Sequence, residues 1–441
     1  MTRPIVLRDA VWGDLELEPE LVALLDTPEL QRLRGVRQLG TAHLVYPSAN
    51  HTRFEHGLGT CHLAGRILEA LRRAGHTLDA REALAIRAAA LVHDVGHVPC
   101  GHTFEDERRI FPRHDAPERT RWFLGATGLG EALRGAGLHA PVLAILGAGP
   151  EESPGERPGA SALGRDLVSG TVCADLLDYL ARDALFTGIR RGWDERLLRY
   201  FALAPEHGGA RLVLRLHKRG LPREDALSEV VHLLRLRYTL SERVYFHHAK
   251  VASGALVAKA VERAAGQGLR LEQLFGLGDE GLLLLLEREH APRDPVIARL
   301  LRDLRARRLP RRAYVLTRRI GPERQADLVR RLHADRAARE AEEAALERAL
   351  GAEPGSVVLH CPAPDMALKE ADVLVDTSGA SGPRTLQSLG LDEVSVLGER
   401  HRDLWRFYAF SAEGGEAARE ALGAACEARF GARNELGARE R

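Results

Sequence analysis

Three histidines and an aspartate lie close together in the stretch LVHDVGHVPCGHTF (91–104). His93 and Asp94 are adjacent and come at the end of an apolar run that predicts a helix. An imidazole nitrogen and a carboxylate oxygen are both good ligands for manganese, iron, zinc or nickel. The segment NHTRFEHGLG supplies another candidate ligand, His56, one helical turn after Arg53. The pair therefore predicts a metal centre to which separate segments must contribute.

A further source of ligands is the stretch TVCADLLDYLARDALFTG (171–188), which predicts a helix. Asp175, Tyr179 and Asp183 fall at i, i+4 and i+8, so they share one face of that helix. Asp175, Asp178 and Asp183 place three carboxylates in an otherwise apolar helix, and burying carboxylates is costly. Solvent, a metal or a cationic partner must therefore compensate the three acids.

The elements that position these residues are mostly helical between residues 20 and 350. Apolar residues recur at intervals of three and four in the segments 21–39, 59–74, 82–94, 171–186, 224–240 and 242–265. A stretch rich in glycine and proline at about 147–165 predicts a mobile surface loop. The charged residues 322–350 predict an exposed helix.

The pattern changes after Gly351. Short strands are predicted at 356–362, 371–377, 394–399 and 405–411, with a helix at 415–428. We therefore predict a mainly α protein in three parts: a helical core (1–320), a charged connecting helix (321–350) and a small α+β region (351–441).

Composition excludes several classes of protein. Among the 441 residues, 63 basic side chains face 62 acidic ones, so net charge indicates neither a nucleic-acid nor a membrane partner. The five cysteines form no CxxC pair, which argues against a disulfide framework or a zinc–cysteine site and fits a reducing compartment. No signal peptide and no membrane-spanning segment is predicted, so we expect a cytoplasmic protein.

Five blocks in this order resemble the HD-domain phosphohydrolases: QRLRGVRQLG, VYPSANHTRFEHGLG, LVHDVGHVPCGHTFE, ADLLDYLARD and RVYFHH. They are most similar to the deoxynucleoside triphosphate triphosphohydrolases related to the sterile-alpha-motif-and-HD-domain enzyme, although no sterile alpha motif is visible. The similarity runs from IVLRDAVWGDLEL, near residue 5, to about residue 320. It implies an all-helical HD core that hydrolyses a deoxynucleoside triphosphate to a deoxynucleoside and tripolyphosphate.

The resemblance also implies the roles of individual residues. Its metal ligands are His56, His93, Asp94 and Asp175, which hold a divalent ion: Mn, Fe, Mg, Co, Ni or Zn. Its proton-transfer groups are His102 with Glu105, and a second His–acid pair is His114 with Asp115. A carboxylate three residues on can orient and charge an imidazole within a helical turn.

Substrate-binding residues follow from the same resemblance. They are Arg53 and Arg237 for the triphosphate, Gln38 and Asp183 for the sugar 3′-hydroxyl, Leu39 and Tyr245 at the 2′ position, Tyr179 against the sugar, and His97 in the pocket lining. An effector nucleotide is expected at Arg196, Arg307 and His248, and the chain is expected to form a dimer or tetramer. Other interpretations stay open: His97 as a hydrogen-bond partner of the metal ligands, Tyr245 as core, and His102 with Glu105 as a surface pair.

One departure from the family pattern supports a different substrate. Leu176 stands where the family usually carries a lysine or arginine that helps neutralise the triphosphate. It favours an HD phosphohydrolase acting on another nucleotide, such as a mono- or diphosphate, a dinucleotide or a cyclic nucleotide. A third hypothesis is a regulatory protein that binds single-stranded nucleic acid through the arginine-rich run 299–312. The near-zero net charge and the scarcity of aromatic residues argue against that hypothesis.

Overall fold

The structure is a computed structural model that describes residues 4–149, 159–206, 209–364, 366–377 and 382–436. Its helices, numbered in chain order, are α1 Pro19–Leu25, α2 Pro28–Gln31, α3 Arg53–Arg73, α4 Ala80–Val92, α5 Pro117–Gly125, α6 Gly128–Gly135, α7 His139–Ile145, α8 Gly159–Ser169, α9 Ala174–Phe186, α10 Glu224–Leu240, α11 His248–Gly266, α12 Asp279–Leu285, α13 Pro295–Arg305, α14 Pro322–Leu328, α15 Arg336–Leu350, α16 Asp392–Arg402 and α17 Glu416–Phe430. The predicted mainly α fold is confirmed.

Within the described residues, four small sheets accompany the helices. The strands are β1 Ile5–Asp9, β2 Gly13–Leu17, β3 Phe201–Glu206, β4 Gly209–Arg215, β5 His217–Lys218, β6 Leu221–Pro222, β7 Arg311–Thr317, β8 Val357–His360, β9 Leu374–Asp376, β10 Arg384–Thr385 and β11 Arg406–Ser411. β1–β2 and β5–β6 are antiparallel hairpins. The other two sheets have the orders β10-β9-β4-β3 and β7-β11-β8, so each joins strands that are distant in sequence.

Helices α3, α4 and α9 form the centre of the core, and two glycines let them approach closely. A Cβ atom on Gly57 would lie 2.8 Å from the carbonyl oxygen of Leu91 in α4. A Cβ atom on Gly59 would lie 1.8 Å from Asp178 Oδ1 in α9. The HGLG sequence therefore lets the first turns of α3 lie directly against both neighbouring helices.

The beginning of α3 is fixed by a capping box. The hydroxyl of Thr52 accepts from the backbone N–H of Glu55, and Glu55 Oε2 accepts from the backbone N–H of Thr52 at 2.6 Å. Each contact satisfies a donor that has no partner within the helix. This cap sets the orientation of the first turn, which carries Arg53 and His56.

Several predicted elements are wrong, for local reasons. The segment 21–39 is not one helix, because Pro28 disfavours a helical residue before it and α1 has already ended at Leu25. The segment 394–399 is not a strand but part of α16, whose acidic first turn and basic last turn suit a helix dipole. Strands β1–β7, which all precede Gly351, were not predicted at all.

Two further corrections concern the predicted loop and the connecting helix. Of the loop 147–165, residues 150–158 lie outside the described part of the chain, while 159–165 belong to α8 and bury Leu163. The connecting helix is interrupted before α15, where the side chain of Asp335 caps the new helix by accepting from Ala338 N–H at 2.9 Å. It is not an exposed helix either, because Arg339 is buried.

A buried ionic cluster joins α15 and β8 to the helical core. Arg108 donates to Glu262 at 2.7 Å and to the Leu359 carbonyl at 2.7 Å. Arg339 donates to Glu262 at 2.7 Å and to the Arg108 carbonyl at 2.9 Å. Glu343 accepts from the Leu359 N–H at 2.8 Å. The C-terminal region thus holds the backbone at Arg108 in place.

Arg339→Met is expected to lower the free energy of unfolding by about 3–5 kcal/mol, because it leaves buried carboxylates without one of their counter-charges. Urea denaturation of the variant and of wild type measures the difference. Arg330→Met is the matched control, since Arg330 is an exposed partner of Asp327. Equal stability of the two variants would show that the cluster does not depend on Arg339.

Among the described helices, none combines the length and the apolar character that a bilayer crossing requires.

Candidate metal centre and active site

Metal-ligand atoms from α3, the end of α4 and α9 converge at one point. His56 Nε2 lies 3.0 Å and His93 Nε2 lies 3.7 Å from Asp175 Oδ1. Asp94 approaches both histidines, with Oδ1 3.5 Å from His93 Nε2 and Oδ2 3.8 Å from His56 Nε2. The structure therefore brings together all four residues that were predicted as metal ligands.

The two histidines are oriented by hydrogen bonds on their other ring nitrogens. His56 Nδ1 lies 2.8 Å from Asp178 Oδ2, and His93 Nδ1 lies 2.8 Å from the carbonyl oxygen of Ala90. Both Nε2 atoms consequently point to the convergence point, and that of His93 is buried without a protein hydrogen bond. A ring held in this way is the usual arrangement of a metal-bound histidine, so the residues present fit a divalent ion.

The electrostatics of the cluster also favour a cation. Burial would lower the pKa of His56, but hydrogen bonds to Asp175 and Asp178 raise it to about 10. The pKa of Asp175 is held well below its ordinary value, despite burial, by His56 and His93. The carboxylates of Asp175 and Asp178 thus favour positive charge at this point, and a divalent ion would supply that charge in place of a proton on His56.

Asp178 was not predicted as a site residue, yet it links His56, one of the predicted ligands, to the N-terminal hairpin. Arg182 Nη2 donates to Asp178 Oδ1 at 2.9 Å, and Arg182 Nη1 donates to Asp9 at 2.9 Å. Trp12 Nε1 donates to Asp178 Oδ1 at 2.6 Å. The i, i+4 spacing of Asp178 and Arg182 in an apolar helix was the signal that could have revealed this network.

Asp178→Asn is expected to weaken metal binding by about 10–100-fold, the usual effect of losing the partner of a metal-bound histidine. The amide keeps the shape of the side chain but no longer stabilises the proton on His56 Nδ1 as a carboxylate does. Titration of the metal-free folded protein with Mn²⁺ measures the affinity. Asp303→Asn, a change at the surface partner of Arg308, is the control. Unchanged affinity would exclude this orienting role.

The acid–base residues pair differently from the prediction. His102 Nδ1 lies 2.9 Å from Asp106, not from Glu105, because residues 103–107 form a wider π-helical turn. Glu105 instead contacts His114 Nδ1 at 2.9 Å and is neutralised by Arg119 at 2.7 Å. Two separate His–carboxylate pairs therefore stand beside the metal ligands: His102 with Asp106, and His114 with Glu105.

His97 does not line the pocket as its leading interpretation had it, and Asp115 does not contact its predicted partner. His97 is fully buried behind the ligand Asp94, with its Nε2 3.3 Å from Asp94 Oδ1 and its ring stacked 3.5 Å from that of His114. Burial holds the pKa of His97 well below its ordinary value. This position favours the role of a partner of the metal ligands. Asp115 pairs with Arg113 at 3.0 Å rather than with His114.

A cavity of about 710 Å³ is lined by all four converging residues. The predicted site residues that line it are Gln38, Leu39, Arg53, His56, His93, Asp94, His102, His114, Asp115, Asp175, Tyr179, Asp183, Arg237 and Tyr245. Glu105 lies beneath its surface. Lys250 and Glu107, which were not predicted, also line this catalytic pocket and pair at 2.6 Å.

Aromatic and charged side chains give one wall of the pocket a defined shape. Tyr245 donates its hydroxyl to Asp183 at 2.7 Å, and His51 Nε2 lies 2.7 Å from the other oxygen of Asp183. The Arg237 guanidinium lies 5.5 Å from the ring centroid of Tyr179 and 5.1 Å from that of Tyr245. Tyr245 is thus part of the pocket and not only of the core.

The positive side chains of the pocket already have acidic partners. Among the residues that the structure describes, each lining cation pairs with a carboxylate: Arg37 with Asp279, Arg53 with Asp94, Arg113 with Asp106, Arg237 with Glu370 and Lys250 with Glu107. A polyanionic ligand must therefore compete with these carboxylates or bring cations with it.

The three residues predicted to bind an effector nucleotide do not all line one cavity. His248 and Arg307 line a separate cavity of about 1240 Å³ next to the C-terminal region, together with Arg312. Arg196 does not line that cavity and instead pairs with Asp225 at 3.5 Å on the surface.

Comparison with known proteins agrees with this geometry. The family model for the HD domain matches residues 53–183, and the model for the HD associated region matches residues 223–435. The deoxynucleoside triphosphate triphosphohydrolase SAMHD1 of Xenopus laevis is 31% identical over 277 residues, which are 55% of this chain and 42% of that protein. Human SAMHD1 is 30% identical over 272 residues, with 55% and 42% of the two chains covered.

Two further relatives extend the comparison. The uncharacterized protein MJ1154 of Methanocaldococcus jannaschii is 28% identical over 287 residues, covering 64% of this chain and 54% of its own. A phosphohydrolase from Bacteroides thetaiotaomicron of known crystal structure superposes with a TM-score of 0.69 at 21% identity, over 93% of this chain and 100% of that one, which shows a shared fold. The chain spans about half the length of the curated relatives it matches. The HD-domain match spans all four converging side chains, His56, His93, Asp94 and Asp175, so residues 53–183 of this chain are an HD domain whose His and Asp side chains fit a divalent metal.

Proposed function

We propose that this protein hydrolyses deoxynucleoside triphosphates to a deoxynucleoside and tripolyphosphate. The observation that carries the proposal is that one pocket holds the metal ligands, a His–carboxylate pair and a wall of polar and aromatic groups suited to a sugar. The names of the curated relatives support the same reaction.

The metal supplies a polarised phosphoryl oxygen and a water of lowered pKa when it is bound. His56, His93, Asp94 and Asp175 would hold it. Water would attack the α-phosphorus as the bond to the sugar 5′ oxygen breaks, and the proton that the water loses would pass to the solvent. That oxygen takes a proton, which His102 Nε2 donates while Asp106 holds Nδ1.

Other residues of the pocket orient the substrate. Arg53 and Arg237 hold phosphate oxygens, since a guanidinium suits phosphate geometry. At the sugar 3′-hydroxyl, Asp183 would accept a hydrogen bond and the Gln38 amide would donate or accept one. Tyr245, fixed by its hydrogen bond to Asp183, crowds the 2′ position and so favours deoxyribose.

A second candidate is hydrolysis of a nucleotide with fewer phosphates. It is favoured by Leu176 and by the acidic partners of the pocket cations, because a less charged substrate needs fewer free cations. The choice depends on the products. A nucleoside monophosphate would yield orthophosphate, whereas the first candidate yields tripolyphosphate.

Product analysis tests both candidates. Purified protein is incubated with Mn²⁺, Mg²⁺ or Co²⁺ and each dNTP, NTP, dNMP or cyclic nucleotide, and the products are separated by ion exchange. Tripolyphosphate with a free deoxynucleoside is the expected result. If monophosphates release orthophosphate while dNTPs stay intact, the first candidate is wrong and the second is supported.

Regulation is proposed on the same basis. An effector nucleotide would bind in the cavity lined by His248 and Arg307, and the chain would assemble as a dimer or tetramer. Turnover of one dNTP only in the presence of another, together with a change of mass in light scattering, is the expected result. Equal turnover of single and mixed dNTPs would show that hydrolysis requires no effector nucleotide.

A further inference from the structure

A second cavity adjoins the catalytic pocket. It has a volume of about 630 Å³ and shares Ser169, Asp175 and Tyr179 with the catalytic pocket. Since Asp175 is one of the converging metal ligands, the metal centre lies at the boundary between the two cavities. A group that extends from the metal past Asp175 would therefore enter the second cavity.

The residues of α9 that line the second cavity include no cation. Leu176, one residue after the ligand Asp175, lines the second cavity and is 4% exposed. It does not line the catalytic pocket. The presence of Leu176 therefore changes what the second cavity can bind. It leaves the metal ligands unaffected.

The C-terminal region forms the opposite wall. Glu370 lines the second cavity and accepts from Arg237 Nε at 3.0 Å, while Arg237 itself lines the catalytic pocket. This ion pair forms a partition between the two cavities. Its neighbour Lys369 also lines the second cavity, is exposed, and makes no hydrogen bond or ion pair within the described part of the chain.

The remaining charges of the second cavity are mostly matched. Arg211 pairs with Asp166 at 2.6 Å, and Glu370 is neutralised by Arg237. Asp372 is exposed to solvent. Lys369 is therefore the cation of this wall that is available without breaking an ion pair. The whole chain contains only four lysines, so a lysine at this place is not explained by composition.

We propose that the second cavity is a subsite for the distal phosphates of the substrate, in which Lys369 supplies the cation that Leu176 does not. This proposal rests on the proposed function, because the ligand assigned to the subsite is the end of the substrate's triphosphate. The cation thus comes from the C-terminal region, which lines the same cavity as the apolar Leu176 of α9. An ammonium group on an exposed, flexible stem can follow a phosphate oxygen without a fixed partner.

The test measures binding of inorganic tripolyphosphate, pyrophosphate and orthophosphate to the Mn²⁺-loaded full chain by calorimetry. Lys369→Met is expected to weaken tripolyphosphate binding about tenfold, the lower end of the effect of a charge-assisted hydrogen bond, and to leave orthophosphate binding unchanged. Lys218→Met, which removes an exposed lysine of β5, is the matched control with the same change of net charge. Leu176→Lys combined with Lys369→Met is expected to restore tripolyphosphate binding.

The outcomes separate the subsite from the reaction. If Lys369→Met binds tripolyphosphate like Lys218→Met, the subsite is wrong even where dNTPs are hydrolysed. If all three phosphates weaken equally, Lys369 does not act on the distal groups, which also overturns the proposal. If wild type hydrolyses no dNTP but tripolyphosphate binding depends on Lys369, the proposed reaction fails while the subsite stands.

Discussion

His93→Ala is expected to remove both the bound metal and the turnover. The substitution deletes an Nε2 that is aimed at the ligand cluster and leaves Asp94 and Asp175 without one of their positive neighbours. The loss should exceed the roughly 10–100-fold effect of removing an outer hydrogen-bond partner, because a ligand itself is removed. Metal content by elemental analysis and the rate of substrate loss measure the two effects.

The control for this experiment is His232→Ala. His232 lies on α10, hydrogen-bonds the Gly192 carbonyl, and does not line the catalytic pocket. It should keep metal and activity, while thermal melting checks that both variants are folded. Full turnover in a folded His93→Ala variant would show that the catalytic centre lies elsewhere.

His102→Ala is expected to keep the metal and to lose turnover by about 10²–10⁴-fold, the usual contribution of a general acid or base. His102 lines the pocket but contacts Asp106 and not the four converging ligands. The metal-loaded variant should therefore bind Mn²⁺ as wild type does and fail only in proton transfer. Loss of metal from this variant would instead place His102 among the ligands.

Asp106→Asn provides a companion measurement through pH. Burial lowers the pKa of His102, and the hydrogen bond to Asp106 opposes that decrease. Removing the carboxylate should lower the pKa further, so protonated His102 is lost at a lower pH. Because a general acid acts in its protonated form, the decline of kcat with rising pH should begin at lower pH than in wild type. An unshifted profile would remove Asp106 from this role.

Short-range spacing within the sequence determined much of the site. The i, i+4, i+8 pattern placed Asp175, Tyr179 and Asp183 on one face of α9, and all three line the catalytic pocket. His93 and Asp94 were placed correctly at the end of a helix. Helix periodicity is a local property, and a single segment is enough to establish which of its residues share a face.

The local sequence pattern predicted the wrong element where strand and helix signals compete in one segment. In the segment 394–399, alternating apolar residues indicated a strand, but burial of Val394, Leu397 and His401 on one side made it a helix. Strand β4 pairs on one side with its neighbour β3 and on the other with β9, from a distant part of the chain. A strand that is stabilised by such a partner has a weak signal in its own sequence.

Several charged side chains of the site have partners that only tertiary structure could decide. His56 meets Asp178 across 122 positions, Arg237 meets Glu370 across 133, and Lys250 meets Glu107 across 143. Even within one turn, π-helical geometry gave His102 to Asp106 rather than to Glu105. The sequence by itself determined which residues could do the chemistry, because residue type and helical spacing are local. Their charge state and orientation depend on the packing of distant segments, and only the folded chain brings those together.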